Sequence, residues 1–132
     1  MLSRWFRKKS VALSGAPAVH RKKTYSAQSG YVYQYFYEGQ RPATPEPGTE
    51  YVFEVSSDRK TSAQVSVFVS AEAVESWQEE TGRTLSGTER YAIAKMALFQ
   101  AFDERESPEA MREAVRLTPG GVRTILANLN ID

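Results

Sequence analysis

Residues 91–102 read Tyr-Ala-Ile-Ala-Lys-Met-Ala-Leu-Phe-Gln-Ala-Phe, and only Lys95 and Gln100 interrupt the apolar run. At helical spacing those two fall about 140° apart, so no single polar stripe exists. A helix apolar on nearly every side must be enclosed by the rest of its domain. One of its faces, formed by Tyr91, Ala94, Ala97, Leu98, Ala101 and Phe102, is rich in alanine and admits another element at close range. The run is too short to cross a bilayer, so no transmembrane segment is expected and the helix reads as the spine of a soluble core.

Charge divides the chain more sharply than its net value of +1 suggests. Residues 1–37 carry seven bases and no acid, whereas the other ten bases share residues 38–132 with all sixteen acids. The chain has no cysteine, which excludes disulfides, thiolate metal sites and cysteine nucleophiles. His20 is the only histidine and lies in a basic segment rich in Ser and Ala, so zinc, haem and histidine-based triads lack their usual ligands and bases. No cofactor is expected, and the composition favours a non-enzymatic protein.

The order of elements predicts an α+β fold. Residues 1–29 read as an irregular basic N-terminal arm, and residues 30–132 as one domain. Acid-free, basic and serine-bearing, the arm also fits a mitochondrial presequence, which would place the protein in the matrix; otherwise a cytoplasmic location is expected. Residues 31–37 alternate as a strand, with Tyr31, Tyr33, Tyr35 and Tyr37 on one face and Val32, Gln34 and Phe36 on the other. Prolines 42, 45 and 47 with Gly48 predict an extended connector. A hairpin follows, its core rows being Tyr51, Phe53, Val55 and Val65, Val67, Val69. Four helices are then expected. Ser70 caps the first, which ends at Gly82, and Ser86 with Glu89 forms a capping box opening the second. Ser107-Pro108 starts a third, and Thr118-Pro119 a fourth with Val122, Ile125, Leu126 and Leu129 inward. The simplest packing is a small antiparallel sheet of about three strands, covered on one face by about four helices.

Two features point to binding. In the arm, Arg4, Arg7, Lys8, Lys9, Arg21, Lys22 and Lys23 surround Trp5 and Phe6. That pattern can contact nucleic-acid phosphates, RNA or single-stranded DNA, with the aromatics stacking on bases. The same arm could instead dock a structural subunit into a protein assembly, or lie on an anionic membrane surface. The second feature is the row Tyr31, Tyr33, Tyr35 and Tyr37, which would form a stacking or contact platform if Val32 and Phe36 join the core; the opposite assignment, with the rings inside, is equally compatible with the alternation.

Weaker patterns remain. Residues 109–129 could be a helix-turn-helix presenting Arg116, Arg123, Thr124 and Asn128. Glu75 and Glu79 share a helix face, where a solvated acidic stripe is the simpler reading. Pro42-Ala-Thr-Pro45 matches a PxxP ligand, and Lys95 could be a lysine of altered pKa in the central helix. Residues 65–102 resemble a ribbon-helix-helix pattern: an alternating strand, Ser-Ala-Glu-Ala-Val opening a helix, Gly82, the Ser86 cap and an apolar helix. The resemblance implies a strand paired across a dimer, with Gln64, Ser66 and Phe68 facing DNA; of these, Gln64 alone suits base reading. A hairpin followed by two helices accounts for the same residues, and the chain is not assigned to that family.

Overall fold

The computed structural model describes residues 11–131. Its strands are β1 (Lys23–Ser26), β2 (Val32–Pro42), β3 (Gly48–Ser56), β4 (Ala63–Ser70) and β5 (Val115–Leu117). Its helices are α1 (Ala71–Thr81), α2 (Gly87–Glu104) and α3 (Pro119–Asn128). The strands form one sheet in the order β1-β2-β3-β4-β5, antiparallel through β4, with β5 joined parallel to β4.

Local chemistry sets most boundaries. Ser70 Oγ accepts the Ala73 amide at the start of α1, and Gly82 ends that helix with a left-handed φ of 69°. The capping box opening α2 is complete: Ser86 Oγ accepts from Glu89 N and Glu89 Oε1 from Ser86 N. Thr118 Oγ1 accepts from Gly121 N at the start of α3. The inward row of the sheet, Tyr33 and Tyr35 with Phe53 and Val65, Val67 and Val69, packs on the Ile93, Ala94, Ala97, Leu98, Ala101 and Phe102 side of α2.

The expected sheet needs correction: among the described residues it has five strands, not about three, it is mixed rather than antiparallel because β5 joins β4 in parallel, and three α-helices cover it, not about four. The first extra strand lies in the stretch read as irregular arm. Lys23, Thr24, Tyr25 and Ser26 pair with Tyr35, Gln34, Tyr33 and Val32. Tyr25 anchors this strand to α2, stacking on Phe99 with centroids 4.4 Å apart and donating its hydroxyl to Asp103 Oδ2 at 2.8 Å. The second extra strand replaces the expected third helix. After Pro108 the chain makes only a 3-10 turn at Ala110–Arg112, because the Arg105 guanidinium binds the carbonyls of Ala110, Glu113 and Ala114 at 2.7–3.0 Å. Val115 then enters the sheet beside Val67. The proline connector contracts as well, since β2 runs to Pro42 and β3 begins at Gly48, leaving residues 43–47 as the turn of a hairpin.

Candidate functional site

The described part of the N-terminal segment is bound to the edge of β2. Ser14 and Gln40 exchange backbone hydrogen bonds, each 2.8 Å. Gly39 makes room for this crossing: a Cβ there would stand 2.8 Å from the Ser14 carbonyl oxygen. Further along, the His20 ring stacks on Phe36 with centroids 4.6 Å apart, and its Nε2 lies 3.7 Å from a Glu38 carboxylate oxygen. Arg4, Trp5, Phe6, Arg7, Lys8 and Lys9 lie outside the described residues.

Strand alternation divides the basic triplet at residues 21–23. Lys23 stands opposite Tyr35, on the helix side of the sheet, while Thr24 stands opposite Gln34 on the other side. Lys22 falls in with Thr24 and Gln34, and Arg21 with Lys23 and Tyr37. The triplet therefore straddles the sheet edge and does not form a single patch.

On the face away from the helices, Lys22 meets two cations of the β3–β4 loop, Arg59 and Lys60. An open groove of about 360 Å³ is lined by Lys22, Thr24, Gln34, Ser56, Arg59, Lys60, Thr61 and Ser62. Three cations and four hydroxyls border it, with no carboxylate in the lining. The β3–β4 loop is held by Asp58, whose Oδ1 accepts from the Lys60 and Thr61 amides at 2.8 Å while Oδ2 accepts from Thr61 Oγ1 at 3.0 Å. Those bonds, the Thr61 amide foremost, hold the Asp58 carboxyl down to about 2. Ser56 Oγ accepts the Arg59 amide, and Arg59 sits at φ 63°, a backbone state that a non-glycine residue keeps only when its surroundings impose it. Thus the acid of the loop is used internally and its two cations project outward. Gln34 contributes a buried side-chain oxygen that accepts no hydrogen bond among the described residues. Only the polar turn signal Ser57-Asp58-Arg59-Lys60 hinted at this part of the site.

The tyrosine platform is corrected. Tyr33 is 0% exposed and Tyr35 5%, and Tyr37 is half-buried; Tyr31 alone, at 38%, is open. Tyr33 stacks on Phe102 with centroids 4.3 Å apart, and Tyr37 packs against Tyr91 at 4.7 Å. The apolar α2 requires an aromatic partner surface, and burial pushes the hydroxyl pKa of Tyr33, Tyr35 and Tyr37 upward. Tyr33 and Tyr35, serving as core, cannot also stack on nucleobases.

Other sequence patterns dissolve similarly. The helix-turn-helix lacks its first helix; Arg116 covers the Phe68 ring at 4.4 Å and Arg123 pairs with Glu80 at 2.9 Å. Strand β4 is paired on both edges, by β3 and β5, so the ribbon of a ribbon-helix-helix dimer has no free edge. Pro42 is bound within the sheet opposite Thr49. Glu75 and Glu79 are exposed on α1, and among the described residues no group of three ligating side chains could hold a metal ion. No described helix is long and apolar enough to cross a membrane. Comparison with protein-family models, with curated proteins and with solved structures finds no match for this chain.

Proposed function

We propose that the chain is a binding module for single-stranded nucleic acid, RNA or DNA, whose backbone phosphates lie in the outer groove. The observation that carries this reading is the convergence of Lys22, Arg59 and Lys60 on one groove whose two bordering acids are already engaged, Asp58 by the Lys60 and Thr61 amides and Glu54 by the Ser62 hydroxyl. None of the three forms an ion pair among the described residues, whereas Arg41, Arg83 and Arg123 each do. Unpaired cations around an open groove attract polyanions, and release of counterions from the bound strand supplies the driving force. The Thr24 hydroxyl can donate to a phosphate or sugar oxygen, and the orphaned Gln34 oxygen can accept from a ribose 2′-hydroxyl or a base N–H, whereas the Ser56 and Ser62 hydroxyls already donate to Asp58 and Glu54. The basic residues of the arm extend the same electrostatic attraction. Titrating the ¹⁵N-labelled full chain with oligouridylate tests the location. The amides of Lys22, Arg59 and Lys60 and the Gln34 side-chain amide should show the largest shifts, and a map centred on the exposed face of α1 would contradict the assignment.

A further inference from the structure

A second cleft opens on the opposite side of β1, between that edge and α2. It has a volume of about 270 Å³, and its walls include Val19, Arg21, Lys23, Tyr37 and Tyr91. Lys95 follows Tyr91 by one helical turn, so it occupies the same side of α2, and its Nζ lies 5.8 Å from the centre of the Phe99 ring, which packs against Tyr35, the strand partner of Lys23. Arg21 and Lys23 line the cleft and Lys95 borders it from α2, and none of the three has a carboxylate partner among the described residues. The acids nearby in the fold are committed elsewhere. Asp103 accepts from the Tyr25 hydroxyl and the Gln28 amide, and Glu38 stands against His20.

Two ammonium groups side by side repel, and a bound anion between them removes that cost. Partial burial and the neighbouring Lys23 hold the Lys95 ammonium pKa below its ordinary value, as expected for a cation lacking its counter-charge. The rest of the wall is aromatic. Tyr37 and Tyr91 are half-buried with ring centroids 4.7 Å apart, and burial raises both hydroxyl pKa values, so both rings are neutral near pH 7. A ligand matching this surface has a flat π-system at one end and a multiply charged anion at the other.

We propose that the cleft between β1, β2 and α2 is a nucleotide site, in which a base stacks on Tyr91, with the Tyr37 ring, tilted 54° to it, against the base edge, while its phosphate bridges Lys23 and Lys95. Aromatic stacking accepts any base, and a phosphate monoester carries the charge and the acceptor oxygens that two lysines and Arg21 can share. The nucleotide can be free or the phosphorylated end of a strand. Neither the residues nor the test depend on Lys22, Arg59 or Lys60, so failure here leaves the outer-groove reading standing.

Calorimetric titration of the full chain with adenosine 5′-monophosphate, adenosine and inorganic phosphate separates the two halves of the ligand. The monophosphate should bind saturably and at least roughly tenfold more tightly than either fragment. Lys23→Gln, on an exposed strand, and Lys95→Gln should each weaken it about tenfold, Lys95→Arg should restore it, and K22Q/R59Q/K60Q should leave it unchanged. Should Lys95→Gln fail to fold, Lys23→Gln alone carries the comparison. Competition by a 5′-phosphorylated RNA but not by its unphosphorylated twin identifies a strand end as the source. Competition by neither identifies a free nucleotide. Absence of saturable binding, equal binding of phosphate alone, or loss only in the outer-groove variant would overturn the proposal.

Discussion

Asp58 shapes the β3–β4 loop, and its own titration reports on that role. Its carboxyl, held at about 2 against an ordinary 3.8, binds a proton more weakly in the folded chain than in the unfolded one. Its contribution to stability is therefore complete above the ordinary value and disappears as pH falls toward 2. Carbon NMR of the Asp58 carboxyl should give a midpoint near 2, and a midpoint at 3.8 would show that the loop bonds do not persist. Tyr25 offers a second test of single contacts. Its hydroxyl donates to Asp103, so Tyr25→Phe should cost about 1–2 kcal/mol, read from the urea midpoint. An unchanged midpoint would mean that the Asp103 hydrogen bond adds nothing to the backbone pairing and the Phe99 stacking that hold β1. Residue-level chemistry of the capping kind was legible in advance. Ser70, Gly82, Ser86 and Glu89 act through neighbours only a few positions away, so sequence spacing suffices to identify them.

Elements whose existence depends on distant partners were not legible. Lys23–Ser26 is a strand because Tyr25 finds Phe99 and Asp103 on α2, and a four-residue polar segment carries no period of its own. Ser107-Pro108 does signal a helical turn, with Ser107 Oγ accepting from Ala110 N. The turn ends early because Arg105 takes the carbonyls that a longer helix would use, and Val115 gains more by burial beside Val67. The docking of residues 11–20 is equally non-local and depends on the missing side chain at Gly39. Gly39→Ala would place a Cβ against the Ser14 carbonyl at a φ of 136°, and should cost about 1–3 kcal/mol. Hydrogen exchange should quicken at the Ser14 and Gln40 amides in that variant. Unchanged protection there would contradict the close crossing.

Across the whole molecule, carboxylates and cations are sorted by place. Glu50, Glu80 and Glu89 pair with Arg41, Arg123 and Arg83, while Lys22, Arg59 and Lys60 lie on one side of the β1 edge and Arg21, Lys23 and Lys95 on the other. A net charge of +1 conceals this arrangement. The sequence singled out residues 21–23 as basic, yet only the pairing of β1 with β2 turns Lys22 toward the loop that carries Arg59 and Lys60. The most direct test is the salt dependence of single-stranded RNA binding, followed by fluorescence anisotropy for the full chain and for K22Q/R59Q/K60Q. Each phosphate contact contributes about 0.7 to the slope of log K against log salt, so the variant should bind more weakly with a slope shallower by about 2. Equal slopes and affinities for the two proteins would contradict the outer groove as the site of phosphate contact.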